Sequence, residues 1–112
     1  MILPGLEISL AALSQYTALL PKINLKSPGE LIGRDTKSSM TSGLVYGFAA
    51  LTDELIKRIK KKIGQNATVI ATGGKSQFIA RFCKNIDCVE NELTLNGLYL
   101  IYKNLSKKNL DK

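Results

Sequence analysis

Met40, Leu44, Phe48, Leu51, Leu55, Ile59 and Ile63 step along the chain by four or three residues, which draws one apolar stripe down a helix. Asp35 and Thr36 supply N-cap chemistry ahead of the stripe, and Gly64 supplies a stop behind it. The pattern predicts a single helix of roughly seven turns, long for a globular protein. Any fold of this chain has to be arranged around that rod. Gly43 and Gly47 lie on one face inside it. Each costs about 1 kcal/mol relative to alanine, so the pair predicts a close approach to the backbone, by another helix rather than by a ligand. The membrane form of this spacing needs an apolar 20-mer, which is absent.

Shorter elements flank the rod. Pro4-Gly5 opens a helical stretch from about Leu6 to Leu20, which Pro21 ends. Lys22 to Glu30 reads as a connector with a Ser27-Pro28-Gly29 turn. Ala67 to Thr72 is an apolar, β-branched run bounded by Gly64 and by Gly73-Gly74, hence a buried strand. A helix over Gln77–Lys84, a short strand over Ile86–Val89 and a last helix over about Thr94–Leu105 follow, with Leu95, Leu98, Ile101 and Tyr102 on its apolar side. Residues 106–112 read as a basic, frayed tail beyond a lobe spanning 1–105.

Composition narrows the function classes. Hydrophobic residues make up 45% of the chain, enough for a core, yet no run reaches the roughly 18 apolar residues of a membrane span. The amino-terminal residues lack the basic and long apolar regions of a signal peptide, so a soluble, cytoplasmic protein with no membrane partner is expected. Cys83 and Cys88, in a chain without histidine, read as reduced thiols and not as a metal site or a disulfide. The net charge of +7 gathers in Lys57–Lys62 and in Lys103–Lys112. The first run ends the long helix, where cations complement the helix dipole, and no aromatic residues interleave it as base-stacking platforms would. A solvated basic face is expected, and no nucleic-acid partner.

Two places can touch a ligand. Strand, Thr72-Gly73-Gly74 and helix in succession let a phosphate or nucleotide approach the backbone near unpaired N–H groups. The same turn also serves as a plain tight turn. Arg34-Asp35-Thr36 heads the long helix and offers donors to a polar ligand, or simply caps it. There is no histidine-based nucleophile pair, no P-loop and no close pair of aspartates, so no catalytic residue is assigned. The residues by themselves describe a ligand-contacting α/β lobe.

Taken in order, these segments resemble the type III pantothenate kinases. Ile2-Leu3-Pro4-Gly5-Leu6 resembles the end of that family's Gly-Gly-x-Ile-x-Pro-Gly-Leu segment. Ile32-Gly33-Arg34-Asp35-Thr36, with Ser39-Met40 and Ser42-Gly43, resembles its Ile-Gly-x-x-Thr segment and the Ser-Met-x-x-Gly continuation. Val69 to Gly74 is similar to its Thr-Gly-Gly strand and turn, and Leu93-Thr94-Leu95-Asn96-Gly97-Leu98 to its closing helix. The resemblance covers nearly the whole chain except the tail.

It implies a helix-rich α/β carboxy-terminal lobe of an actin-like, ribonuclease-H-like (ASKHA) phosphotransferase fold. It further implies an enzyme that phosphorylates pantothenate with ATP, the first step of coenzyme A biosynthesis, using magnesium and a monovalent cation (potassium or ammonium) in the complete protein. Thr36 falls on the pantothenate-contacting threonine, Gly73 and Gly74 on the nucleotide-proximal turn, and Pro4 and Gly5 on a cleft loop. Partners implied are pantothenate, ATP, and either a second copy in a homodimer or a separate amino-terminal half. The family's Asp-x-Gly phosphate loop, its Gly-x-Asp-Arg segment with the catalytic aspartate and its Asp-x-Gly-Thr-Ala motif do not occur here. A fragment inactive alone is therefore expected, cut within the Gly-Gly-x-Ile-x-Pro-Gly-Leu motif. A non-catalytic module dimerising through the Gly43/Gly47 face is the alternative, and a basic nucleic-acid binder the third reading.

Overall fold

The computed structural model describes the backbone of residues 1–110 and the side chains through Ser106. Its elements are α1 (Leu6–Gln15), α2 (Thr36–Ile63), β1 (Ile70–Ala71), α3 (Ser76–Ala80), β2 (Cys88–Val89) and α4 (Leu93–Leu110). The strands form one parallel pair in which Ile70 faces Cys88 and Ala71 faces Val89.

The rod forms as the stripe requires. Asp35 is its N-cap: the Ser38 N–H donates to Asp35 Oδ1 at 3.0 Å while Ser38 Oγ accepts from the Asp35 N–H at 3.0 Å. This reciprocal capping box satisfies donors that the first helical turn otherwise leaves orphaned. At the other end the Gly64 N–H closes on the Lys60 carbonyl at 2.9 Å, with Lys60, Lys61 and Lys62 in the last turn. Those cations sit at the negative pole of the helix.

Other boundaries differ from the expectation. α1 stops at Gln15, not near Leu20, because Tyr16 and Thr17 hold the helix poorly and the Thr17 hydroxyl turns back to the Leu13 carbonyl. The strand expected over 67–72 shortens to Ile70–Ala71. Asp87 Oδ2 takes the Val69 N–H at 2.7 Å, so that amide never joins the ladder. α3 is shorter than expected, and α4 runs on to Leu110 because Ser106 to Leu110 contain no glycine or proline to stop it. The expected frayed tail is thus helical through Leu110, while positions 111 and 112 lie outside the described residues.

α1 and α3 pack on the first half of α2. The core is Leu6, Met40, Leu44, Val45 and Ala49, with Val45 fully enclosed. Tyr46 meets Phe82 edge-on with ring centroids 5.9 Å apart, and Phe78 tilts against Phe82 at 5.5 Å. Arg81 lies over both phenylalanine rings. Asp53, one turn further along α2, accepts the N–H groups of Lys84 and Asn85 at 2.8–2.9 Å and holds the α3–β2 connector to the rod.

Past its middle the rod loses its cover. Leu51 and Ile59 are each 41% exposed and Ile63 is 67% exposed. Gly43 and Gly47 are exposed too, and a Cβ added at either would meet no atom within 4 Å. The close approach expected at that face is not made within this chain. α4 is the extreme case: among the described residues it contacts no other helix or strand. The Cα radius of gyration is 18.8 Å, against about 13 Å for a compact chain of this length, so the fold is markedly open.

Candidate functional site

Two segments singled out in the sequence are held by several independent interactions. The first is the entry to α2. Gly33 packs so tightly that a Cβ there would lie 2.3 Å from the Ser39 nitrogen, closer than any side chain tolerates. The buried Ser42 hydroxyl donates to the Leu31 carbonyl, eleven residues upstream, and pins the same segment from inside. Ser38 Oγ also accepts the Arg34 N–H at 3.0 Å and donates to Asp35 Oδ2 at 2.8 Å. Arg34 itself pairs with Glu30 at 3.1 Å on the surface. The Ser38 N–H, then the Ser38 hydroxyl, hold the Asp35 carboxyl below its ordinary range. The result is a fixed platform on which Thr36, the first residue of α2, stands exposed. An open hollow of about 480 Å³ at this end of α2 is walled by Lys26, Pro28, Asp35, Lys37, Ser38 and Thr41 among others, and Thr36 is not one of its walls.

The second segment is the turn after β1. Gly73 adopts φ +99°, a left-handed conformation that favours glycine. Its carbonyl accepts both the Ser76 N–H at 3.1 Å and the Ser76 hydroxyl at 2.7 Å. Ser76 is buried, so the turn is anchored at its far side while Gly73 and Gly74 stay exposed. Gly74, Lys75, Gln77, Phe78, Arg81 and Leu25 wall an open hollow of about 430 Å³. Basic and amide side chains beside glycine backbone suit an anionic or polar ligand.

The structure brings the turn and the start of α1 together. Lys75 Nζ meets Glu7 Oε1 at 2.9 Å, and both line a further hollow of about 440 Å³ between α1 and the 22–25 connector. Pro4 and Gly5, directly ahead of α1, are exposed, with the Gly5 carbonyl accepting the Ser9 N–H at 2.9 Å. Thr36 is not among the walls of either hollow that Lys75 lines, so the head of α2 and the turn after β1 are separate surfaces of the chain.

Gly33 and Ser42 entered the sequence reading only through the resemblance, without a structural role, and Lys75 did not enter it. Ser42 lies off the predicted apolar stripe, so the helical period did not mark its hydroxyl as buried. Gly33 was marked only as the glycine of the resembled Ile-Gly-x-x-Thr segment, and its physical constraint arises only when the loop lies on α2. At the cysteines, Cys83 is half-buried and Cys88 exposed, both as free thiols. Burial, with the nearby Asp53 charge second, pushes the Cys83 thiol up. In the basic run, Arg58 pairs with Glu54 at 2.8 Å and Lys60 with Asp87 at 3.6 Å. No helix among the described residues is long and apolar enough to cross a membrane.

Residues 1–58 match the family model described as type III pantothenate kinase. The chain is 45% identical over 106 residues to a type III pantothenate kinase of Exiguobacterium sp. strain AT1b, covering 95% of this chain and 41% of that protein. It is 42% identical over 102 residues to that of Syntrophus aciditrophicus, covering 91% and 40%, and 39% identical over 106 residues to that of Agathobacter rectalis, covering 94% and 41%. The chain thus spans about two-fifths of the length of the curated relatives it matches. That family implies an actin-like fold, with which a helix-rich α/β chain agrees. A family model matched over more than half of the chain, a stretch that includes Pro4-Gly5 and Gly33–Thr36, shows that this chain belongs to the type III pantothenate kinase family.

Proposed function

We propose that residues 1–105 form the carboxy-terminal lobe of an ATP-dependent kinase that phosphorylates pantothenate to 4'-phosphopantothenate, opening coenzyme A synthesis in the cytoplasm. Residues 106–112 extend it as a basic tail. The observation that carries the reading is the platform at the head of α2. Gly33, Ser42 and the Asp35–Ser38 box together fix an exposed threonine through several interactions, which a plain cap does not need. Thr36 would donate and accept hydrogen bonds to the hydroxyls and amide of pantothenate. The Gly73–Gly74 turn would border the nucleotide, with Pro4 and Gly5 lining the cleft between them.

In this reading the chain binds and orients, and the group that takes the pantothenate hydroxyl proton lies in the part of the family protein not covered here. Phosphoryl transfer depends on positioning and charge neutralisation more than on covalent chemistry, so a lobe that only positions is still a working part. Among the described residues no three carboxylates, cysteines or histidines gather closely enough to hold a metal ion. No step assigned to this chain passes through magnesium or potassium.

The test is co-expression of this chain with the uncovered part of the Exiguobacterium relative, followed by an assay of ATP-dependent pantothenate phosphorylation. Activity in the pair, absent from either piece, with Thr36→Val raising the KM for pantothenate and leaving helix content intact, is the expected result. A folded pair with no turnover would sink the reading. A second reading rests on the exposed Gly43/Gly47 face, open to a second copy. On it the chain is a module that dimerises through α2, in a kinase dimer or without catalysis, and a strictly monomeric species in light scattering at high concentration counts against it.

A further inference from the structure

We infer that α4 is the docking helix by which this chain seats in the part of the family polypeptide that it lacks, an apolar groove built from more than one element. The inference rests on the lobe assignment above. Leu95, Leu98, Tyr99, Ile101, Tyr102 and Leu105 are each more than half exposed, and α4 touches no other described element. At 100° per residue these side chains spread over about 160° of the helix surface, with Leu93 and Leu100 on the far side. Only a narrow strip through Asn96 and Lys103 is consistently polar.

The width of that arc chooses the occupant. Two copies of α4 pairing as a coiled coil would cover a narrow a/d seam and leave the flanks wet. A helix apolar over most of its circumference is a buried helix, so its partner must embrace it from several sides. Among the described residues no such groove is formed, since the buried apolar side chains already pack between α1, α2 and α3. What remains of the family protein is about three-fifths of the relatives' length, ample to build one. Wherever that polypeptide resides, upstream on the same chain or on a separate one, α4 is the surface on this side that fits it.

The test is recovery of this chain, by affinity capture and sedimentation, with the tagged uncovered part of the Exiguobacterium relative after co-expression. Leu98→Lys combined with Tyr102→Lys is expected to lower recovery by about tenfold or more, since two anchors of an apolar contact are replaced by charge. Both sites are exposed, so the helical circular dichroism of the chain alone should not change. Asn96→Lys, on the polar strip, should leave recovery as it was. A complex that depends on α4 but phosphorylates no pantothenate supports the docking and counts against the composite kinase site. The inference is overturned if no complex forms, if the double variant binds as well as the parent, or if α4 instead drives self-association of this chain.

Discussion

The first half of α2 and the whole of α4 are similar helices by sequence and opposite ones in the fold. Both carry an apolar residue at nearly every helical turn. In α2, Met40, Leu44, Val45 and Ala49 are buried under α1 and α3. In α4, Leu95, Leu98, Tyr102 and Leu105 face solvent. The difference is one of supply. Burying a leucine side chain stabilises by about 1.5–3 kcal/mol, but only where another surface exists to bury it against. This chain supplies that surface for half of its rod and for none of its last helix, which is how a piece of a larger cooperative unit should look.

The comparison can be broken most sharply at the core. Leu44→Ala should destabilise the chain by about 2–5 kcal/mol, a large part of the stability of any small domain, and abolish a cooperative urea transition followed by circular dichroism. A transition little changed would mean that the α1–α2–α3 body is not the folded core. Gly33→Ala should cost about 1–3 kcal/mol, because a Cβ must displace the backbone at Ser38–Ser39 and not a flexible side chain. Protease cleavage within residues 29–35 should accelerate with it, and an unaltered cleavage rate would detach the entry segment from α2.

A smaller effect comes from the cap. Because Ser38 stabilises the Asp35 carboxylate, its folded pKa lies below the ordinary 3.8. Its contribution is therefore present above that value and is lost as pH falls through the depressed one. An asparagine at this position would still cap but does not titrate. In Asp35→Asn the part of the acid loss of helicity below about pH 3.8 due to this residue should therefore vanish. Identical acid profiles for parent and variant would contradict the capping account. Leu98→Ala, the mirror of Leu44→Ala, should change the stability of this chain alone by no more than about 0.5 kcal/mol. A cost near that of Leu44→Ala would erase the contrast between the two helices.

How much of this was legible beforehand follows the same division. The rod was readable to within a residue, with Asp35 and Thr36 both offered as its cap and Gly64 as its stop, because caps and an apolar period are local signals. Strand and short-helix limits were not, because they were set by partners distant in sequence: the Asp87 carboxylate on the Val69 amide, the Asp53 carboxylate on the Lys84 and Asn85 amides. Thr36, Gly73 and Gly74 were legible only as residue types suited to ligand contact. The constraints that hold the Thr36 segment, Gly33 against Ser39 and Ser42 on Leu31, exist only after the loop folds back on α2. That α4 is unpartnered could not be read at all, since its apolar pattern is the same whether or not its partner is present.

Hydrogen exchange of this chain alone, read helix by helix, tests the central claim most directly. Backbone amides over Met40–Ala49 should be protected to the level of global unfolding, while those over 97–105 exchange faster by orders of magnitude, as in a helix held only by its own hydrogen bonds. Equal protection of α2 and α4 in the monomeric chain would contradict the account, since α4 would then already have the partner that this structure says it lacks.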